Sequence, residues 1–233
     1  GWMSAEADWG YSSLTKPGID RSLYDKIANT DFRKNTFVHP DKFSFHNYKT
    51  SRDAQFITDA PAYLGLKFRC KAGDWETYSI GGAVDVPVMR VEEMYFIEAE
   101  AAAHLDATGN AGKTLLEAFM KTYRDQTYSC SATTQAGIID EIVLQKRIEF
   151  WGEGLSFFDY KRLNMSVTRG YTGTNHPASA RLNSNGRPAW MNVVIVKTEE
   201  NNNSALKGWD NPDPSGVYTP WVSSASAKSN LLY

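Results

Sequence analysis

Apolar side chains recur at helical spacing through the middle of this 233-residue chain. The periodicity predicts three helices, at residues 89–105, 110–128 and 136–151, and a shorter fourth helix at residues 157–164. Short polar connectors separate these segments. Because short connectors place successive helices side by side in opposite directions, we expect antiparallel helical hairpins.

The apolar positions also indicate how each helix packs. One stripe of the first helix holds Val91, Met94, Tyr95, Ala102 and Leu105. In the second helix the residues at steps of four are Leu115, Phe119 and Tyr123. The third helix has a wide apolar arc, which predicts a central position. The residues of this arc are Ile138, Ile139, Ile142, Val143, Leu144 and Ile148.

The segments on either side of the helices, residues 1–87 and 165–233, are rich in turn residues. Residues 19–29 predict a short helix with Leu23 and Ile27 on one face. Residues 63–69 and 190–196 alternate or cluster apolar residues as strands do. The predicted fold is therefore mainly α, with helical hairpins, loop-rich segments and a few short strands.

Composition and the absence of known motifs limit the classes of function that this chain can have. A formal net charge of −2 removes the electrostatic argument for binding nucleic acid. Aromatic content is high, with 7 Trp, 12 Tyr and 11 Phe. Cys70 and Cys130 allow either one disulfide or two buried thiols. The four histidines have no metal-ligand spacing, and no nucleotide or hydrolase motif occurs, so we expect no metal and no cofactor.

One cluster of charged residues lies beside aromatic residues at the ends of the third and fourth helices. Its members are Arg147, Glu149, Glu153, Asp159 and Arg162, and Glu98 is a further acid within the stripe of the first helix. Charges among so many aromatic rings must be paired, so a structural ion network is favoured. An acid/base site of a hydrolase using Glu149 or Glu153 is the alternative.

Several aromatic residues lie among Gly, Ser, Asn and Asp rather than in periodic segments. They are Trp2, Trp9, Tyr11, Trp75 and Tyr78. Sugar rings stack their C–H faces on such side chains, while nearby polar groups bind the hydroxyls. These five residues are candidate ligand-binding residues. The alternative is that each ring fills a core beneath an irregular segment.

Four segments resemble the SusD/RagB family. Residues 88–101 (VMRVEEMYFIEAEA) resemble its signature helix, and residues 145–154 (QKRIEFWGEG) with Asp159 and Arg162 resemble its second signature. Residues 23–34 and 200–211 are similar to two further family stretches. Gln145, Lys146 and Ser156 depart from the second signature, which thins the ion network.

This resemblance implies a function and a setting. Members of the family are non-catalytic, glycan-binding lipoproteins of the bacterial outer membrane in Bacteroidetes, and each caps a SusC-like TonB-dependent transporter. They contain tetratricopeptide-like helical repeats and are about twice as long as this chain. The resemblance places residues 1–233 in the C-terminal part of one SusD-like domain, with a lipid anchor upstream.

On this resemblance, residues 1–87 form the irregular glycan-binding region, residues 88–164 the helical core and residues 165–233 a loop-rich C-terminal segment. We predict non-catalytic glycan binding at the cell surface in polysaccharide utilisation and nutrient uptake. The alternative is a helical-repeat interaction module that binds the transporter and has no glycan site of its own.

Overall fold

A computed structural model describes Ser4, Ala7 and residues 16–41, 60–209 and 221–222. The chain divides into two compact units, residues 1–154 and 155–233. Helices dominate the described residues, where the one sheet consists of two short strands. The mainly α fold class predicted from the sequence is therefore confirmed.

The described residues of the first unit contain five α-helices. They are α1 (Arg21–Tyr24), α2 (Tyr78–Gly81), α3 (Glu92–Leu105), α4 (Asn110–Tyr123) and α5 (Gln135–Glu149). Two 3₁₀ turns accompany them, Phe32–Thr36 and Lys71–Gly73. The second unit contains α6 (Leu155–Arg162), β1 (Asn183–Ser184), α7 (Lys197–Asn202) and β2 (Trp221–Val222), with 3₁₀ turns at Ala178–Ala180, Ala189–Met191 and Ser204–Leu206.

Helices α3 and α4 form the predicted antiparallel hairpin. A left-handed Gly109 (φ 76°) precedes α4. Gly112, near the start of α4, packs so tightly on α3 that a Cβ there would lie 2.4 Å from the carbonyl oxygen of Ala99. At the other end of the pair, the ring of Tyr95 lies 5.4 Å from that of Phe119. The close crossing therefore depends on the absence of a side chain at Gly112.

Helix α5 is central, as its wide apolar arc predicts. It packs against both α3 and α4, and all six residues of the predicted arc are buried. At its start, the Nε2 atom of Gln135 donates to the carbonyl oxygens of Ala103 and Asp106, which closes the C-terminus of α3. The end of α5 lies beside Arg90, before the start of α3, so α3 and α5 are antiparallel.

The expectation of antiparallel neighbours is wrong for α4 and α5. Gly109 lies beside Gln135, so the helices start at the same end, and Arg124 bonds Glu149, so they also finish together. Helix α4 ends at Tyr123 rather than at residue 128, because Asp125 accepts hydrogen bonds from the amide of Thr127 in the turn that follows and from the hydroxyl of Thr30. The longer connector, residues 124–134, carries the chain back along the bundle.

Helix α3 buries a different face from the predicted stripe. Its buried residues are Phe96, Ala99, Glu100 and Ala103. Four members of the predicted stripe are exposed instead: Val91, Met94, Tyr95 and Leu105. The helix is apolar on two faces, and the small residues Ala99 and Ala103 face α4 because they allow the close approach at Gly112.

The irregular segment before α3 packs on the bundle with little regular structure. Leu23 and Ile27 are buried as predicted. Helix α1 ends at Tyr24, so Ile27 lies beyond it, and its carbonyl oxygen accepts from Lys34 Nζ (2.8 Å). The predicted strand at residues 63–69 is wrong. Only isolated bridges occur there, from Gly18 to Leu64 and from Phe37 to Gly65.

The second unit holds the two-stranded sheet. Strands β1 and β2 are antiparallel, with Asn183 opposite Val222. The side chain of Asn183 organises the neighbouring loop, since its oxygen accepts from the amides of Arg169 and Gly170. The predicted strand at residues 190–196 is wrong, because the segment begins with the turn Ala189–Met191 and leaves Val193 and Val196 exposed.

Candidate functional site

The carboxylate of Glu149, at the end of α5, is the hub of a buried ion network. Arg124 donates to both of its oxygens, from Nε and from Nη2, each at 2.8 Å. Arg90 Nη2 donates to Oε1 at 3.0 Å, and Arg33 Nη1 to Oε2 at 3.4 Å. Burial favours a higher pKa, but the hydrogen bonds and charge of Arg124, with those of the other two arginines, lower the pKa of Glu149 to about 2. Glu149 is therefore firmly ionised.

Glu153 is a second buried carboxylate of the network. It accepts from Arg90 Nε at 2.9 Å and also from Lys67 Nζ. Lys67 Nζ donates further to the carbonyl oxygens of Glu149 (2.8 Å) and Trp151 (3.2 Å), so it also caps α5. Burial lowers the pKa of Lys67 despite its contact with Glu153.

The network pairs four cations with four carboxylates that come from distant positions in the first unit. The cations Arg33, Lys67, Arg90 and Arg124 contact the carboxylates Asp31, Glu92, Glu149 and Glu153. Gln145 also takes part, because its side-chain oxygen accepts from Arg33 and its nitrogen donates to Glu141. The network therefore ties the irregular segment before α3 to the ends of α4 and α5.

The structure places the predicted network residues in different surroundings. Glu149 and Glu153 lie together in the network described above. Glu98 is exposed on α3, and Arg147 is half-buried on the side of α5 opposite Glu149. Asp159 and Arg162 pair with each other (2.8 Å) on α6 in the second unit.

Sequence reasoning missed the four cations that hold Glu149 and Glu153. Arg33 and Arg90 stand within segments that resemble family motifs, and that is the one signal that pointed to them. Lys67 and Arg124 lie in segments without a motif. Their role follows from the tertiary fold, which brings them to one helix end.

A surface cleft of ≈ 630 Å³ opens beside the outer part of the network. Lys67, Arg90 and Glu153 lie on its charged side, with Arg69 and Asp85 nearby. Its apolar and small lining residues are Phe68, Val84, Val86, Pro87, Gly152 and Gly154. An apolar wall beside charged hydrogen-bonding groups suits a ligand with both apolar faces and hydroxyls, such as a sugar.

A tight loop, residues 70–82, adjoins this cleft; we call it the aromatic loop. Cys70 Sγ donates to the hydroxyl of Ser4, a residue that also lines the cleft. The side chain of Asp74 accepts from the amide of Thr77 at 2.8 Å, which fixes the turn into α2. A Cβ on Gly81 would lie 1.7 Å from the carbonyl oxygen of Asp74, so the loop closes only with glycine there.

The aromatic loop carries two of the five candidate ligand-binding residues. Tyr78 begins α2 and is 71% exposed, whereas Trp75 is half-buried. The candidates Trp2, Trp9 and Tyr11 lie outside the described residues, as does the C-terminal part of the family-like stretch at residues 200–211. The role of all five in binding stays a prediction.

The described residues offer few other groups that could take part in a disulfide, a metal site or a membrane span. Cys70 and Cys130 are both free and buried, so the thiol alternative is correct, and burial raises the pKa of the Cys130 thiol. Within residues 16–41 and 60–209, no three His, Cys, Asp or Glu side chains cluster as metal ligands. No helix of the described part of the chain combines the length and the apolar character that a membrane span needs.

Comparison with known proteins places this arrangement in a family. The SusD family model matches residues 10–232. No curated protein matches the chain. The fold resembles the crystal structure of a SusD-like carbohydrate binding protein from Bacteroides vulgatus ATCC 8482, with a TM-score of 0.57 and 24% identity. The likeness covers 87% of this chain and 43% of that one, so this chain spans less than half of its structural relative.

The family match covers the structural features described for the site, apart from Ser4 and the candidates Trp2 and Trp9. It includes the Glu149 hub, the cleft and the aromatic loop, together with both helical signatures. The helical fold agrees with that of the structural relative. From the family match over residues 10–232, the chain belongs to the SusD family.

Proposed function

We propose that this protein binds glycans at the bacterial cell surface and delivers them unchanged to a SusC-like TonB-dependent transporter. The observation that carries the proposal is the SusD family match over residues 10–232. A carbohydrate-binding structural relative with the same fold supports it. In this proposal the protein is attached to the outer membrane by a lipid anchor upstream of residue 1.

The aromatic loop and the adjoining cleft are the proposed place of glycan contact. Tyr78 offers a largely exposed ring on a loop that is fixed by Asp74 and Gly81, so little conformational entropy is lost on binding. The cleft beside it provides Arg69 and Asp85 as hydrogen-bonding groups. Trp75, and with it Trp2, Trp9 and Tyr11, are proposed to contribute further stacking surface from the region 1–87.

Binding without catalysis fits the state of the two candidate acids. A glycoside hydrolase needs one carboxyl group with a raised pKa as its general acid. Glu149 has a lowered pKa and is enclosed by three arginines. Glu153 is held by Arg90 and Lys67. Both residues are better suited to hold the scaffold than to transfer a proton.

Affinity electrophoresis through gels that contain plant, host or microbial polysaccharides tests the proposal. We expect at least one polysaccharide to retard the protein, and Tyr78→Ala and Trp9→Ala to reduce the retardation. Ile80→Ala is the matched control, because Ile80 is an exposed apolar residue of the same loop without an aromatic ring. Circular dichroism of each sample establishes that it is folded.

The outcomes separate the two candidate functions. Retardation that falls with Tyr78→Ala but not with Ile80→Ala supports a glycan site on the aromatic loop. A folded protein that binds no polysaccharide but still binds its transporter supports the interaction module instead. Release of reducing sugar that disappears in a folded Glu153→Gln variant would contradict the non-catalytic proposal.

A further inference from the structure

The two network cations that line the cleft, Lys67 and Arg90, already have acceptors within the protein. Lys67 Nζ carries three N–H groups. Its three acceptors are the carboxylate of Glu153 and the carbonyl oxygens of Glu149 (2.8 Å) and Trp151 (3.2 Å). Because each N–H group of Lys67 has an acceptor in the protein, an anionic group in the cleft would have to compete with these contacts.

Arg90 is engaged to a similar extent. Its Nε donates to Glu153 Oε2 (2.9 Å), and its Nη2 donates to Oε1 of Glu153 and to Oε1 of Glu149, both at 3.0 Å. Its Nη1 lies 3.0 Å from Glu92 Oε1. The guanidinium carbon also lies 4.7 Å from the centre of the Phe150 ring, which covers one face of the group. Every nitrogen of Arg90 therefore already contacts a carboxylate.

Glu153 is the carboxylate that both cations share at the cleft. Its Oε1 accepts from Lys67 and from Arg90, and its Oε2 accepts from Arg90. The side chain of Glu153 is 7% exposed, whereas those of Lys67 and Arg90 are each 22% exposed. Glu153 thus makes the contacts that an anionic group of a ligand would otherwise make with these two cations.

The other charges at the cleft also balance. Among the described residues, the network matches each of its four cations with a carboxylate. The remaining charged residues of the lining, Arg69 and Asp85, are both exposed and have opposite signs. The cleft therefore has no surplus of positive charge that would attract an anionic glycan. An anionic group that entered it would lose water without gaining a cation of its own, which is unfavourable.

The rest of the lining suits an uncharged sugar. Phe68, Val84 and Val86 form an apolar wall on which the C–H face of a sugar ring can pack. Exposed Asp85 can accept hydrogen bonds from sugar hydroxyls, and the guanidinium of Arg69 can donate to them. Hydroxyl groups need no net charge from the protein, so the balanced cleft does not disfavour them.

We propose that the cleft selects uncharged glycans over glycans that carry carboxylate or sulfate groups, and that Glu153 sets this preference by occupying the donors of Lys67 and Arg90. The inference rests on the proposed function, because it names the substrate class of the same cleft. In this role Glu153 is a specificity-determining residue as well as a member of the scaffold.

The test measures the affinity for charged and uncharged forms of the same polysaccharide by isothermal titration calorimetry at physiological ionic strength. A neutral polysaccharide that retards the protein is carboxymethylated, and hydroxyethylation of the same backbone adds a substituent of similar size without charge. A uronic acid polymer is compared with its methyl ester. We expect the uncharged form to bind the parent at least roughly tenfold more tightly than the charged form.

Glu153→Gln should shift this ratio towards the charged form by roughly fivefold or more, because it leaves Lys67 and Arg90 with one negative charge fewer. Glu92→Gln is the matched control. It removes the same charge from another carboxylate that pairs with Arg90, but Glu92 does not line the cleft, so the ratio should stay within roughly twofold of the parent. Circular dichroism and the melting temperature establish that each variant is folded.

Asp85→Asn provides the same test at an exposed position, where the substitution does not endanger folding. It should shift the ratio towards the charged form by roughly twofold, because it removes a negative charge from the lining of the cleft. An unchanged ratio in Asp85→Asn would overturn the proposal that charge balance decides the preference, even if Glu153→Gln does not fold.

Two results would overturn the inference and leave the proposed function intact. One is tighter binding of the charged form by the parent. The other is an equal ratio in folded Glu153→Gln and Glu92→Gln, which would remove the role of Glu153. A folded parent that binds neither form of any polysaccharide would instead overturn the proposed function, and the substrate class with it.

Discussion

Arg124 holds Glu149 through two parallel hydrogen bonds of 2.8 Å, one from Nε and one from Nη2. This bidentate pair joins the end of α4 to the end of α5, and the same guanidinium lies 5.1 Å above the ring of Phe119. A bidentate geometry orients both partners as well as neutralising them. The pair therefore fixes how α4 and α5 meet, and Arg33 and Arg90 extend it to the irregular segment.

Glu149→Ala should strongly destabilise the protein. The substitution leaves Arg33, Arg90 and Arg124 close together without their shared carboxylate, and breaking a buried pair in this way costs about 3–5 kcal/mol. Chemical denaturation of the variant and the parent measures the change. Glu98→Ala is the control, since Glu98 is an exposed acid and its removal should change the free energy of unfolding by less than about 0.5 kcal/mol. Equal stability of Glu149→Ala and the parent would contradict a structural role for the network.

Acid should weaken the protein through the same residue. The pKa of Glu149 is about 2 in the folded chain, below its ordinary value of 4.5. A depressed pKa contributes stability that is complete above the unfolded value and is lost as the pH falls from about 4.5 towards 2. The loss attributable to Glu149 is on the order of 3 kcal/mol.

Urea unfolding at a series of pH values between 2 and 7 tests this expectation. Glu149→Gln should show a shallower fall in stability below pH 4.5 than the parent, because it has no proton to gain. Glu98→Gln should follow the parent curve. Parallel curves for Glu149→Gln and the parent would show that other carboxylates cause the acid sensitivity.

Gly112→Ala should weaken the α3–α4 hairpin even though alanine is the better helix former. Its methyl group would lie 2.4 Å from the carbonyl oxygen of Ala99 and 2.5 Å from Cβ of Ala103, so the two helices must separate. Overpacking of this kind costs about 1–3 kcal/mol. Thermal melting compares it with Ala111→Leu, a control at the exposed neighbouring position that should have little effect. A stabilised Gly112→Ala variant would contradict the close crossing.

Tyr78→Ala should lower glycan affinity by roughly fivefold, which corresponds to about 1 kcal/mol of stacking. Tyr78→Phe should retain most of the affinity, because the ring face is kept and only the hydroxyl is lost. Isothermal titration calorimetry with a fragment of the retarding polysaccharide measures both, and the melting temperature should not change because the side chain is exposed. A larger loss for Tyr78→Phe than for Ile80→Ala, with no further loss for Tyr78→Ala, would assign the effect to the hydroxyl instead of the ring.

Helical periodicity was enough to predict the bundle. It predicted neither which face of α3 is buried nor the relative direction of α4 and α5. The arc of α5 was predicted correctly, because a helix with so wide an apolar arc must be covered by neighbours on more than one side. For α3 the sequence contains two apolar faces, and the stripe from Val91 to Leu105 has the larger side chains. The face with Ala99 and Ala103 is buried because Gly112 of α4 fits against it, and such a match between two helices cannot be seen in either one alone.

Predicted strands were the least successful elements. Residues 63–69 have the composition of a strand but form single bridges, since Gly65 packs against the ring of Trp151, where no Cβ fits. Residues 190–196 are apolar, yet Val193 is 75% exposed. Residues with high strand propensity are those that pack well on a half-buried sheet surface. The two segments do not pack on such a surface, so their propensity does not lead to a strand.

The sequence by itself determined that the chain is mainly α and that Glu149 and Glu153 need partners, because periodicity and charges among aromatic residues are local properties. It also carried the motifs of the SusD family. Only the tertiary structure decided which cations serve as partners, since Arg33, Lys67 and Arg124 are brought to one helix end from positions far apart in the chain. Pairing over such distances depends on how whole helices pack, which no local pattern records.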